Sequence, residues 1–167
     1  MKFEVRISIF DSPTAMHIRQ AREDDIEAII RIQNKAPEAS QWTAADYASL
    51  AGDPMGLILV AEFDGMSPPA LAGFAAFHYV IDVAELRNMA VDPVHQRRGV
   101  GRELLAEGRR RLPGQGVKRI FLEVRASNLP AQRLYYSAGF GLHSRRRDYY
   151  RDPLEDALVL WLALSGH

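Results

Sequence analysis

The chain has 167 residues, which suits one domain able to bury its own hydrophobic core, and its 21 Lys and Arg residues are balanced by 21 Asp and Glu residues. This balance leaves no overall positive field that would attract nucleic acid, so no direct nucleic-acid partner is expected. The chain has no cysteine, which excludes disulfides, thiolate nucleophiles and Cys-based zinc sites and fits the reducing cytoplasm.

The chain also lacks the usual signals of export, membrane insertion and metal binding. Residues 2–10 alternate apolar and polar side chains, unlike the continuous apolar segment of a signal peptide. The longest apolar run, residues 157–164, is far shorter than the roughly 20 residues that cross a bilayer. The five histidines are scattered without ligand spacing. We therefore expect a soluble cytoplasmic protein with no membrane partner and no metal.

The first half of the chain predicts a strand, two helices and a β-hairpin. Asp24 or Asp25 can cap the first helix, and Thr43 is a possible N-cap of the second, weaker one. A breaker-rich stretch with two prolines separates the two strands of the hairpin. The predicted elements are a strand at 17–21, a helix ending near 35, a helix at 41–50 and strands at 57–63 and 71–80.

The second half alternates strands and helices. A helix is capped by Asn128, carries a proline in its first turn and stops at Gly139. The predicted elements are a strand at 84–91, a loop at 92–98, a helix at 99–112, a strand at 118–124, the capped helix, and strands near 141–147 and 157–164. This order predicts an α+β or layered α/β fold, a mixed sheet with helices on both faces. Residues 16–167 form one domain, and residues 1–15 are an extension whose order the sequence leaves open.

A glycine-bearing turn connects the strand at 84–91 to the following helix. It reads Gln96-Arg97-Arg98-Gly99-Val100-Gly101. Backbone N–H groups and the positive end of the helix can converge there on a diphosphate. A P-loop and a dinucleotide-binding loop both fail, because the residues that they need after the glycines are absent. The alternative is a helix start that merely tolerates glycine.

The turn and the segments around it resemble the GCN5-related N-acetyltransferase (GNAT) superfamily. The resemblance covers residues 16–164 and includes the Gln-x-x-Gly-x-Gly turn, the segment 122–128, Ala131-Gln132-Arg133-Leu134-Tyr135 and Gly139-Phe140, in the superfamily's order and spacing. It implies a seven-stranded, mostly antiparallel sheet whose two central strands splay apart to admit acetyl-coenzyme A. Arg146-Arg147-Asp148-Tyr149-Tyr150 and Glu155-Asp156-Ala157-Leu158 resemble the narrower family of ribosomal-protein alanine acetyltransferases.

The resemblance implies a binding site for acetyl-coenzyme A as cosubstrate, without a metal. Main-chain groups of Met89 and Val91 would bind pantetheine, the amide of Met89 would polarise the thioester at a bulge, and amides from Arg97 to Arg102 would hold the pyrophosphate. The residues expected at the coenzyme are Met89, Ala90, Val91, Gln96, Arg97, Arg98, Gly99, Val100, Gly101, Arg102, Asn128 and Tyr135.

Acetyl transfer to an amine requires a neutral nitrogen, and an α-amine is roughly 14% neutral at pH 7 whereas a lysine is neutral only about once in 2,500 molecules. By resemblance Glu123 is the general base and Tyr135 the general acid. Glu85 is the rival base. Without the resemblance, Glu123 reads as a strand-end glutamate facing water and Tyr135 as a core aromatic.

The acceptor should bind at loops around the open end of the sheet, at residues 37–42 and 149–156. The residues expected to contact it are Trp42, Glu85, Tyr149 and Tyr150. Four acids, Glu38, Asp152, Glu155 and Asp156, could attract basic residues behind the acceptor's N-terminus, or they could simply form a solvated loop. The leading hypothesis is an N-terminal peptide of a ribosomal protein as partner, acetylated on its alanine by a monomer or weak homodimer. A small-molecule amine or lysine side chain as acceptor, and a non-catalytic acyl-coenzyme A sensor, remain alternatives.

Overall fold

A computed structural model of the chain describes residues 15–65 and 70–165. The strands are β1 Met16–Gln20, β2 Gly56–Phe63, β3 Leu71–Val80, β4 Val83–Val91, β5 Arg119–Arg125, β6 Gly141–Arg151 and β7 Leu154–Ala163. The helices are α1 Ile26–Asn34, α2 Ala44–Gly52, α3 Val100–Arg111 and α4 Leu129–Ser137. The described strands form one seven-stranded sheet in the order β1-β2-β3-β4-β5-β7-β6. The predicted fold class is therefore confirmed, and the predicted extension lies outside the described residues apart from Ala15.

The helices begin where local hydrogen bonds favour it. Thr43 opens α2 with a reciprocal capping box, in which its hydroxyl accepts from the Asp46 amide and the Asp46 carboxylate accepts from the Thr43 amide. Asn128 caps α4 by accepting from the Ala131 amide at 3.2 Å. Asp25 stands at the start of α1, but its carboxylate binds Arg19 and the Arg22 amide instead of capping the helix.

Two hydrophobic cores lie on opposite sides of the sheet. On the side that we call the α1/α2 face, Ile29 of α1 and Tyr47 of α2 pack against Phe74 of β3. On the side that we call the α3/α4 face, the core combines α3 and α4 with the other surface of the same strands, as at Leu104 and Phe77. Helices on both sides are what the alternating pattern predicted.

The sheet opens between β4 and β5. These two strands are parallel and pair at only three positions, Val83 with Arg119, Ala84 with Ile120 and Glu85 with Phe121. Beyond Glu85 the two strands have no paired residues, so a gap widens towards Val91 and Arg125. The predicted splay of the central strands is confirmed at this position.

A β-bulge in β4 corrects one expectation. We predicted it at Met89, but the pairing passes from Phe77 opposite Leu86 to Ala76 opposite Asn88, which leaves Arg87 as the extra residue. The reason is packing: Leu86 and Met89 are three positions apart in the sequence, yet both pack against the core of the α3/α4 face. A regular strand would turn them to opposite faces, and one extra residue restores the match.

The last two strands correct a second expectation. Residues 149–156 were predicted as a loop, but β6 continues to Arg151 and β7 begins at Leu154. The turn is therefore confined to Asp152 and Pro153. The aromatic residues Tyr149 and Tyr150 favour extended backbone, and Tyr150 pairs with Glu155 on β7. None of the helices in residues 15–65 and 70–165 combines the length and apolarity needed to span a membrane.

Candidate active site

The main chain of β4 faces the gap at Met89 and Val91. The Asp92 amide donates to the Ala72 carbonyl on β3 at 2.8 Å. Because main-chain groups alternate in direction along an antiparallel strand, those of Val91 and Met89 point away from β3, towards the gap. Ala90, between them, is buried on the α1/α2 face. The edge of β4 thus offers donors and acceptors to an extended chain inserted between the strands.

The glycine-bearing turn lies at the end of this gap. Arg97 and Gly99 have positive φ angles of 63° and 80°, and the first helical bond of α3 runs from the Glu103 amide to the Gly99 carbonyl. The amides of Val100, Gly101 and Arg102 precede that bond, so they are the donors of a helix N-terminus. A Cβ atom at Gly99 would meet nothing within 4 Å, whereas one at Gly101 would lie 2.9 Å from a methyl group of Leu134. The first glycine leaves the turn open, and the second lets α4 pack closely on α3.

Positive side chains surround the turn. Arg98 lies over the Phe63 ring at 4.1 Å and its Nη1 is 3.2 Å from Nδ1 of His95. Arg97 and Arg102 line a cleft of about 510 Å³ between the turn and β1. Gln96 is exposed at the start of the turn. The amides of a helix N-terminus, together with three arginines, fit a diphosphate.

Glu123 lies on β5 at the α1/α2 face, beside the gap. Its Oε1 is 3.1 Å from Nη1 of Arg146 on β6, and its side chain is 14% exposed. A hydrogen bond to this carboxylate, followed in importance by burial, raises the pKa of Tyr149 to about 12. The predicted base and one predicted acceptor residue are therefore in contact, with an arginine that we did not predict.

Glu85 lies near Glu123, at the last position where β4 still pairs with β5. Burial raises the pKa of Glu85, the nearby charge of Glu123 raises it further, and Arg87 opposes the shift. Arg87 approaches Glu85 at 3.8 Å and also lies 5.5 Å from the centre of the Trp42 ring. Trp42 thus lies beside Arg87, the residue that pairs with this second carboxylate.

Tyr135 and Tyr150 complete the site. Tyr135 on α4 is 9% exposed and packs edge-on against Phe140 with ring centres 5.8 Å apart. Burial raises the pKa of Tyr135, and so, to a smaller extent, does the proximity of Tyr150. Burial also raises the pKa of Tyr150, whose ring lies 4.1 Å from the Arg125 guanidinium. Both phenols therefore hold their protons at neutral pH.

The acids around the β6–β7 turn are already engaged. We considered Glu155 and Asp156 as attractors of basic acceptor residues. Glu155 instead accepts from the Ser127 amide at 2.6 Å and pairs with Arg125 at 3.2 Å. Asp156 accepts from the Asp148 amide at 2.9 Å and from Arg145 at 2.6 Å. Asn128 likewise uses its side-chain oxygen as a helix cap, which leaves its amide nitrogen for a coenzyme.

Our sequence reasoning missed the contact of Arg146 and assigned Asp156 the wrong role. Arg146 stands in a run of three arginines that reads as a solvated surface, and only the pairing of β6, β7 and β5 brings it to Glu123. Asp156 stabilises the left-handed residue Asp148, with φ 50°, where residues 147–149 leave the β6–β7 pairing. The Tyr149-Tyr150 and Glu155-Asp156 motifs indicated that these segments belong to the site, but they did not indicate which residues are in contact.

The chain was compared with protein-family models, with known proteins and with solved structures. The model of the acetyltransferase (GNAT) family matches residues 22–140. The ribosomal protein bS18-alanine N-acetyltransferase of Escherichia coli is 38% identical over 143 residues, which are 84% of this chain and 93% of that protein. The crystal structure of the ribosomal-protein-S18-alanine N-acetyltransferase from Escherichia coli superposes with a TM-score of 0.80 at 36% identity, covering 92% of this chain and 96% of that chain. The structure of Ard1 from Thermoplasma volcanium superposes with a TM-score of 0.79 at 27% identity, covering 90% and 99%.

Proposed function

The chain belongs to the acetyltransferase (GNAT) family, and from this premise we propose that it transfers an acetyl group from acetyl-coenzyme A to the N-terminal α-amine of a ribosomal protein that begins with alanine. The observation that carries the proposal is the gap between β4 and β5. It leaves the main chain of Met89 between Glu123 on one face of the sheet and Tyr135 on the other. A thioester inserted there would have a base on the acceptor side and an acid on the coenzyme side.

The coenzyme would be bound mainly by backbone. The main-chain groups of Met89 and Val91 would pair with the pantetheine amides as a strand does, and the amides from Arg97 to Arg102 would hold the pyrophosphate. The open space at Gly99 supports this placement, because a side chain there would stand in the path of the phosphates. Beyond the turn, the Asn128 side-chain amide would contact the coenzyme.

Glu123 would accept the proton from the acceptor ammonium, directly or through a water. The resulting neutral nitrogen forms a bond to the acetyl carbonyl carbon while the carbon–sulfur bond breaks. The Met89 amide donates a hydrogen bond to the carbonyl oxygen as negative charge develops there. Tyr135 gives its proton to the departing thiolate, and the raised pKa of its phenol keeps that proton in place until the thiolate forms. The nitrogen loses its second proton as the amide forms, and this proton returns through solvent to the Tyr135 phenolate. The products are an amide and free coenzyme A, with the first proton left on Glu123.

Glu123 is a better-supported base than Glu85. The proximity of Glu123 raises the pKa of Tyr149, so this carboxylate lies among the residues expected to hold the acceptor backbone. Glu85 lies where β4 and β5 are still paired, before the gap begins. We assign Glu85 the role of a second negative charge that attracts the acceptor ammonium, with Trp42 and Arg87 beside it.

The acceptor is the part of the proposal that rests on the relatives. The Escherichia coli protein is named for the alanine of ribosomal protein bS18, and its match covers 84% of this chain and 93% of that protein. An α-amine also requires less deprotonation than a lysine side chain at neutral pH.

The test is an assay of thiol release from acetyl-coenzyme A. The acceptors are a peptide with the N-terminal sequence of an alanine-starting ribosomal protein, the same peptide with a blocked N-terminus, and a panel of small amines. The proposal predicts thiol release with the unblocked peptide, and none with the blocked peptide or the small amines. Turnover confined to the small amines would reject the ribosomal-protein acceptor, and coenzyme binding without turnover of any amine would favour the sensor alternative.

A further inference from the structure

A buried polar cluster attaches the segment between α1 and α2 to β4, the strand that carries Met89. We call residues 35–43 the acceptor loop. The Asn88 side chain, 5% exposed, makes two bonds to the main chain of Ser40: its Oδ1 accepts from the Ser40 amide at 3.1 Å, and its Nδ2 donates to the Ser40 carbonyl at 2.9 Å. The Asn88 side chain thereby makes the two main-chain hydrogen bonds that a neighbouring strand would otherwise make to Ser40.

Gln33 makes the same kind of attachment two residues further along the loop. Its Nε2 donates to the Trp42 carbonyl at 2.9 Å and its Oε1 accepts from the Trp42 amide at 3.1 Å. Asn88 also donates to Gln33 at 3.3 Å and to the Tyr47 hydroxyl at 3.0 Å, so the two attachments are joined. These bonds satisfy the buried amides and give the acceptor loop a defined position.

The bulge in β4 connects this cluster to the reaction centre. The extra residue Arg87 lets Arg87 and Asn88 both face α1 and α2, where Arg87 lies over Trp42 and Asn88 holds Ser40. The next residue, Met89, turns its main chain to the gap. The strand that presents the thioester-binding amide therefore also fixes the loop that would contact the acceptor, within three consecutive residues.

We propose that Asn88 and Gln33 are positioning residues that order the acceptor loop before the peptide binds. The inference rests on the proposed function, because it assigns the loop to the peptide acceptor. A loop already ordered in the free enzyme contributes no ordering cost to binding, so the peptide binds more tightly than it would to a mobile loop. The coenzyme side of the gap does not depend on these bonds. Loss of the attachment should weaken peptide binding and leave coenzyme binding as it is.

The experiment compares Asn88→Ala with Tyr47→Phe as matched control. Tyr47 is fully buried in the same cluster, but its hydroxyl bonds only to the side chains of Asn88 and Gln33. Tyr47→Phe therefore leaves in place all four hydrogen bonds between those two side chains and the main chain of the loop. Asn88→Ala should raise the KM of the peptide about 10-fold, from the loss of a buried double hydrogen bond, and leave the KM of acetyl-coenzyme A within about twofold. Tyr47→Phe should change the peptide KM by less than about twofold, although it removes two buried hydrogen bonds, one to Gln33 and one from Asn88.

Each outcome bears on one proposal. If the native chain acetylates no alanine-starting peptide, the proposed function is wrong. If the native chain is active and Asn88→Ala leaves the peptide KM unchanged, or both variants raise it equally, the positioning role is overturned.

Hydrogen exchange on the native chain provides a test that does not depend on a variant's folding. The Ser40 and Trp42 amides donate to Asn88 and Gln33, so they should exchange slowly in the absence of substrate. The Gln41 amide between them, which has no acceptor among the described residues, should exchange fast. Equal rates at the three amides would overturn the proposal.

Discussion

The ion pair between Glu123 and Arg146 allows base catalysis to be separated from charge pairing. We consider Glu123→Gln, which removes the base but keeps its shape, and Arg146→Gln, which removes the partner and leaves the carboxylate. The two groups are 3.1 Å apart, and the Arg146 side chain is 55% exposed. A carboxylate that only held an ion pair would give both substitutions the same effect.

The expected magnitudes differ because the pair is open to water on the Arg146 side. An ion pair with one exposed partner contributes at most about 1 kcal/mol, so Arg146→Gln should lower kcat/KM by less than about fivefold. Loss of a general base lowers the rate by about 100- to 10,000-fold, so Glu123→Gln should fall in that range. The difference between the ranges is large enough to decide which role the carboxylate has.

The assay is kcat/KM for the alanine-starting peptide, measured for both variants from pH 7 to pH 8.5. The residual activity of Glu123→Gln should rise by about sixfold over that range, because the neutral fraction of the acceptor α-amine rises from roughly 14% to roughly 83%. Equal losses in the two variants, or a Glu123→Gln rate within about fivefold of native, would refute the assignment of Glu123 as base.

Three other substitutions test separate parts of the account. Tyr135→Phe should lower kcat about 10- to 1,000-fold with the affinity for acetyl-coenzyme A retained, measured by steady-state kinetics and calorimetry; an unchanged kcat would remove its role as acid. Gly108→Ala places a Cβ 2.6 Å from the ring of buried Phe77, so an overpacking cost of about 1–3 kcal/mol should exceed the roughly 1 kcal/mol gain in helix propensity, and a higher urea midpoint would contradict this. Hydrogen bonds from Arg110 and Arg111 lower the pKa of Glu107 to about 2, so its stabilisation is complete above about pH 4.5 and lost as the pH falls towards 2. The difference in the free energy of unfolding between native chain and Glu107→Gln should therefore shrink in acid, and a constant difference would show that the ion pairs do not stabilise the fold.

Features set by neighbouring residues could be predicted from the sequence. Thr43 and Asn128 cap their helices as expected, because a capping side chain bonds to an amide three residues away. The splay between β4 and β5 came from the resemblance to a family and not from local pattern. The loss of pairing between these strands does not change their pattern of apolar residues, because both strands remain buried on the α3/α4 face. The pattern therefore could not predict it.

Features set by strand pairing could not be predicted. The bulge at Arg87 is required because Leu86 and Met89 both pack in the core of the α3/α4 face. That core is built with α3 and α4, which come later in the chain. The contact between Glu123 and Arg146 crosses β7, so three strands must be in register before it can form. Asp156 was misread as a free acid for the same reason: its partners, Arg145 and the Asp148 amide, lie on the neighbouring strand.

The two carboxylates beside the gap explain why the sequence left the base undecided. Glu85 and Glu123 both lie on strands that reach the gap, and each alternates with apolar neighbours. Only the contacts separate them, with Tyr149 and Arg146 at Glu123 and with Arg87 at Glu85. Side-chain contacts of this kind arise between residues far apart in sequence and are absent from local pattern.

The most direct test is to find the atom that receives the acetyl group. An alanine-starting ribosomal-protein peptide that also contains a lysine is incubated with the chain and acetyl-coenzyme A, and fragment mass spectrometry locates the added acetyl group. The account predicts one acetyl group on the N-terminal α-nitrogen and none on the lysine. Acetylation of the lysine side chain, or an unmodified peptide in the presence of bound coenzyme, would contradict it.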